Sequence, residues 1–74
     1  MITSQPGDPI WIREGVFVAN EVCNAGLPIG TILNKPKRGI FLERKVINSR
    51  IYIKTYIDSI GERFVEESEV LELK

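Results

Sequence analysis

Residues 39–65 read GIFLERKVINSRIYIKTYIDSIGERFV, and this stretch decides the fold. Ile40 to Val46 and Arg50 to Ile57 are rich in Ile, Val, Phe and Tyr, which suit a pleated, half-buried surface. Asn48-Ser49 lies between them, and Asn tolerates the left-handed backbone that a two-residue hairpin turn requires. A turn there sets Ile47 opposite Arg50, and counting back pairs Val46 with Ile51, Arg44 with Ile53, Leu42 with Thr55 and Ile40 with Ile57. These pairs form a mostly apolar face. The other face pairs Lys45 with Tyr52, Glu43 with Lys54 and Phe41 with Tyr56: a cation beside a ring, an ion pair and an aromatic pair. Asp58-Ser59-Ile60-Gly61 reads as a type I turn, so a third strand starts near Glu62, with Phe64 as its expected core residue.

Working outward, the 74-residue chain is long enough for one small domain, which buries only about 60% of the surface its unfolded chain exposes. Residues 1–9 contain Pro6, Gly7 and Pro9 and read as a flexible lead-in to a domain over 10–74. Ile10 to Val18 is expected to be one strand, bent at Gly15, with Ile10 and Ile12 on one face and Trp11 and Arg13 on the other. Asn20 to Pro28 has the composition of a loop, and Gly30 to Asn34 of a short strand. Glu66 to Glu69 is too short and too acidic for an α-helix, which leaves a single 3₁₀ turn before a last strand at Val70 to Leu73. The sum is an all-β chain, a small SH3-like barrel of five or six short antiparallel strands with a 3₁₀ turn before the last.

Ten basic and ten acidic side chains cancel, so no net field draws the chain to nucleic acid or acidic membranes. The charges are unevenly spread. Lys35, Lys37, Arg38, Arg44, Lys45, Arg50 and Lys54 face only Glu43 within 35–54, and the acids concentrate from Asp58 onward. Either the molecule is dipolar or the fold sets the acids beside the bases. Cys23 is the single cysteine, which excludes an internal disulfide and suits a reducing cytoplasm. There is neither a secretory signal pattern nor an apolar run of the roughly 20 residues needed to cross a bilayer.

Chemistry is sparse. The chain has no His, the usual general base and commonest zinc ligand. No base stands near Cys23 in sequence, and the glycines never cluster as a phosphate loop requires. The expectation is therefore no catalytic residue, no metal and no cofactor. What remains is surface: Phe41, Tyr52 and Tyr56 with Lys45 and Lys54 on the outer face of the hairpin, and Trp11 on a neighbouring strand. Rings among cations suit recognition of a larger protein. The alternatives are that these rings form a second small core, or that Lys35, Lys37, Arg38, Arg44 and Arg50 bind nucleic acid.

The order of residues from Gly7 to Leu73 resembles the NifZ-type domain of nitrogenase maturation. Gly7-Asp8 leads into an Ile/Val-rich strand, Asn20 stands at the following turn, and Ile29-Gly30-Thr31-Ile32-Leu33 precedes a basic stretch. Gly39 opens the next strand, Ile51-Tyr52 another, Gly61 sits in a turn, and Glu69-Val70 precedes the last strand. The chain departs from the family at Asn20-Glu21-Val22, where an Asn-Asp-Gly turn is usual, at Lys54-Thr55, where a His is, and near Val65, where a further Gly is; its segment from Gly39 to Ile51 is also shorter. The resemblance implies an accessory, chaperone-like protein of nitrogen fixation that binds a nitrogenase component without ligating its cluster. A third reading is a small homo-oligomeric enzyme similar to the type II dihydrofolate reductases. Their Val-Gln-Ile-Tyr strand is matched here only by Ile51-Tyr52.

Overall fold

The structure is a computed structural model, described here over residues 2–22 and 29–73. It contains seven strands in one antiparallel sheet: β1 (Pro9–Ile12), β2 (Phe17–Glu21), β3 (Ile29–Ile32), β4 (Lys37–Ile47), β5 (Arg50–Ile57), β6 (Gly61–Glu66) and β7 (Val70–Glu72). The order across the sheet is β3-β2-β6-β5-β4-β1-β7, so β3 and β7 are its edges. Val18 of β2 and Val70 of β7 nevertheless share one apolar core with Ile10, Ile12, Phe41, Ile53, Ile57 and Val65. Strands near opposite edges can meet in one core only if the sheet curls over on itself. Complete burial of side chains such as Ile10, Ile12, Ile53 and Ile57 contributes about 1.5–3 kcal/mol each.

The hairpin turn is where the sequence puts it. Asn48 and Ser49 have φ of 51° and 66°, the doubly left-handed pair of a type I′ turn. From Ile47↔Arg50 to Glu43↔Lys54 the pairing is the expected one. Leu42 then forms a bulge, and beyond it Phe41 faces Thr55, Ile40 faces Tyr56 and Gly39 faces Ile57. The expected pairs Leu42 with Thr55, Phe41 with Tyr56 and Ile40 with Ile57 are thus each displaced by one. Because side chains alternate with a period of two, the extra residue reverses the face of everything before it. Phe41 turns into the main core and Ile40 turns out. Gly39, also on the core side, leaves no room for a side chain: a Cβ there would lie 2.5 Å from the Thr55 hydroxyl oxygen.

Other expectations change as well. The single strand from Ile10 to Val18 is two, β1 and β2, separated by a turn at Glu14-Gly15 with Gly15 at φ 85°. Ile10, Ile12, Val16 and Val18 still all face the core, since the turn preserves their even spacing. The turn after β5 is not type I: the Ile60 amide donates to the Ile57 carbonyl at 3.1 Å and Ser59 has φ 71°, whereas type I needs both central φ negative. Val65, not Phe64, is the core residue of β6. The 3₁₀ turn (Glu67–Glu69) and the last strand agree with the reading. The expected loop from Asn20 falls partly in β2; residues 23–28, and Cys23 with them, lie outside the described residues.

Two sets of polar contacts tie the chain ends to this sheet. The Gly7 amide donates to the Phe41 carbonyl at 2.8 Å, and the Phe41 amide to the Asp8 carbonyl at 2.9 Å. Arg44 packs its guanidinium 5.6 Å from the Phe41 ring centroid, donates from Nε to Glu67 at 2.7 Å and from a terminal nitrogen to the Ile2 carbonyl at 3.2 Å. One arginine thereby fastens the 3₁₀ turn and the lead-in to β4.

Candidate functional site

The bulge divides the residues expected to share one binding face. Phe41 is in the main core, at 2% exposure. Tyr52, at 8%, joins Ala19, Val22, Ile47 and Phe64 in a second, smaller cluster on the outer face. Tyr56 remains outside at 49%, between Ile40 on β4 and Glu62 on β6. Trp11 is half-buried, set between Arg38 and Leu71. The Lys45 ammonium lies 5.7 Å from the Phe64 ring centroid, and Lys54 pairs with Glu62 at 3.2 Å.

The basic segment is divided too. Arg44 pairs with Glu67, Arg50 with Glu66 at 2.9 Å and Lys54 with Glu62 at 3.2 Å, and outside the segment Arg13 pairs with Glu69 at 3.2 Å. The run of acids after Asp58 folds beside the run of bases because β6 and the 3₁₀ turn lie along β5. The exposed pairs, Arg50–Glu66 and Arg13–Glu69, are worth about 0–1 kcal/mol each, so their main effect is on the surface potential, whereas Glu67 of the Arg44 pair is buried. Among the described residues, Lys35, Lys37 and Arg38 form no ion pair.

A cleft of about 340 Å³ opens beside the second cluster, lined by Gly15, Val16, Phe17, Arg50, Tyr52, Phe64, Glu66 and Glu69. Its origin lies in the ladder. β2 and β6 are in register at one pair, Ala19↔Phe64, and then part, leaving a gap between the start of β2 and the end of β6. Three rings line it, Phe17 at 41% exposure, Phe64 and the buried Tyr52, together with the paired Arg50 and Glu66. A broader depression of about 610 Å³ lies between Ser49, Ile51, Glu67 and Leu71, with no aromatic ring in its lining. Sequence reasoning found Tyr52 but missed Phe17, Phe64 and the pairing of Arg50. The available signal for Phe17 was alternation: an aromatic between two core valines must point outward.

Among the described residues no cluster of His, Cys, Asp or Glu is arranged to hold a metal ion, and no helix is long and apolar enough to cross a membrane. No family model matches the chain, and neither a curated protein nor a solved structure matches it.

Proposed function

We propose that the chain is a non-enzymatic protein-binding module on an SH3-like barrel, and that it binds an extended apolar segment of a larger protein in the Phe17–Tyr52–Phe64 cleft. The barrel reading is supported by the curl of the sheet around one core and by the 3₁₀ turn between β6 and β7. The observation that carries the binding reading is the exposed aromatic wall at the point where the β2–β6 ladder ends. Phe17 and Phe64 offer area to bury, and Arg50, Glu66 and Glu69 at the rim offer hydrogen bonds that fix direction. The mechanism is docking, with water displaced from the rings and no covalent step. The lone Cys23 supports a reducing, cytoplasmic setting, and the NifZ-type resemblance makes a nitrogenase component the first partner to try.

An affinity capture from the host, comparing the wild type with Phe17→Ala, tests this reading. Phe17 is exposed enough for its removal to leave the core intact, so an unchanged melting temperature with a partner weakened by about tenfold or more supports it. A partner held equally by both proteins would refute the cleft. Nucleic-acid binding through 35–54 is the weaker reading, because Arg44, Arg50 and Lys54 are already engaged with carboxylates. It requires affinity for RNA or single-stranded DNA that falls steeply with salt.

A further inference from the structure

The two edges of the sheet differ in how they are protected. An edge strand exposes a row of unpaired amides and carbonyls, and charged residues, proline or a covering segment ordinarily keep other strands off it. β7 is three residues long, and its Glu72 carboxylate accepts from the amide and the hydroxyl of Thr3 in the lead-in. β3 has none of these devices. Its residues, Ile29-Gly30-Thr31-Ile32, include no charge and no proline, and Ile29 and Ile32 are 73% and 65% exposed, open among the described residues. The direction of its backbone groups follows from the ladder. The Leu33 amide donates to the Val16 carbonyl at 2.9 Å and the Leu33 carbonyl accepts from the Gly15 amide at 2.8 Å, so both groups of Leu33 point toward β2. Those of Ile32, one residue earlier, point the other way, off the sheet.

What such an edge takes up is another extended strand, and a second copy of this one fits it in shape and in charge. An antiparallel pair about a two-fold axis at Ile32 sets Ile32 against Ile32, with two backbone hydrogen bonds between them. Phe17 is the partner of Ile32 on β2 and shares its outer face. The row across that face therefore runs Phe17, Ile32, then Ile32 and Phe17 of the second copy, four apolar side chains in succession. In the same register Ile29 falls beside Lys35 of the second copy, and Glu21 is the β2 partner of Ile29. Each Lys35 thus approaches a Glu21, and neither residue forms an ion pair of its own among the described residues. We propose that the chain self-associates through β3 as a two-fold dimer, its two sheets joined edge to edge at Ile32. Such an axis leaves both outer faces on one side, so the dimer opens both Phe17 clefts in the same direction.

The test is sedimentation of the purified chain from about 10 μM to about 1 mM, the range in which a contact this small associates. The wild type is expected to pass from monomer to dimer, and on dilution the Ile32 amide should lose exchange protection while the Thr31 amide, which points toward β2, keeps it. Ile32→Lys and Ile32→Glu alter an exposed side chain and should leave the melting temperature of dilute protein unchanged. Each alone should stay monomeric at about 1 mM, because each sets like charges about 5.5 Å apart, measured between Cα atoms, across the axis. Mixed in equal amounts the two variants should associate again, Lys then facing Glu. The proposal is overturned if the wild type is monomeric at about 1 mM, in which case the β3 edge is left for the strand of a different protein. A dimer that both single variants retain would overturn it too, since the contact would then lie elsewhere, as would a mixture that fails to restore association or an Ile32 amide whose protection is independent of concentration.

Discussion

Tyr52 and Tyr56 stand on the same face of the same strand, four residues apart, yet one is 8% exposed and the other 49%. Their own residue type and alternation are identical, so the difference comes from what lies over each end of β5. Over Tyr52, β2 comes alongside β6 and brings Ala19 and Val22 against Ile47 and Phe64. Tyr56 has Ile40 and Glu62 as its partners within the sheet and belongs to neither apolar cluster of the described residues. The boundary lies near the bulge at Leu42, which turns Phe41 inward on one side of it and leaves Lys45 outward on the other. The same hairpin therefore supplies a second core at its tip and an open surface at its base.

The sharpest way to break this comparison is to remove the residue that the bulge turns inward. Phe41→Ala should cost about 3–5 kcal/mol, the range for deleting a buried aromatic ring. For a chain of this size total stability is roughly 4–11 kcal/mol, so the variant loses about a quarter or more of it and unfolds outright if the wild type lies at the low end. Denaturant titration reads this directly. A loss under 1 kcal/mol would mean that Phe41 lies on the outer face, as uninterrupted pairing would have it.

Tyr52→Ala should cost less, about 2–3 kcal/mol, because the outer cluster has fewer members to collapse around the lost ring. Tyr52→Phe keeps the ring and should recover most of the loss. If Tyr52→Ala melts like the wild type, the outer cluster is a surface and not a core.

The tip of the hairpin was legible for a physical reason: Asn48 marks a left-handed turn, and a turn of two residues fixes every pair up to the first irregularity. The bulge was not legible, because Leu42 carries neither the Gly nor the charge that often marks one, and both registers put apolar residues on both faces. Trp11 was placed correctly by alternation against Ile10 and Ile12. The break between β1 and β2 was hidden for the opposite reason, since even spacing continues through Arg13-Glu14-Gly15 as though the strand did. Of the candidate site, Tyr52 was visible from the sequence. The cleft was not, because it depends on where β2 parts from β6, a long-range event that no local pattern records.

Thr55 offers an intermediate test, placed at the bulge itself. It is fully buried, and its hydroxyl donates to the Ile40 carbonyl at 2.9 Å, supplying a partner beside the interrupted ladder. Thr55→Val preserves shape and removes the donor, so the expected loss is about 1–2 kcal/mol. Amide exchange at Phe41 and Tyr56 should speed up more than at Arg50 or Ile51. Uniform acceleration across the hairpin would show that the hydroxyl stabilises the fold as a whole and not the bulge.

The smallest effect is expected at the other tyrosine. Tyr56→Ala removes a half-exposed ring whose in-sheet neighbours, Ile40 and Glu62, stay in place, so no cavity forms and the loss should stay within about 0.5 kcal/mol. Set against Tyr52→Ala, the two substitutions make a matched pair: same strand, same face, same atoms deleted. A large ratio of their effects identifies the base of the hairpin as surface held in reserve for a partner, because an exposed ring that does not stabilise its own fold still offers area to another chain. If the two losses are equal, Tyr56 stabilises its own fold as much as Tyr52 does, and its ring is not free surface. In that case the open surface at the base closes, and the cleft beside Phe17 remains as the place where a partner can enter.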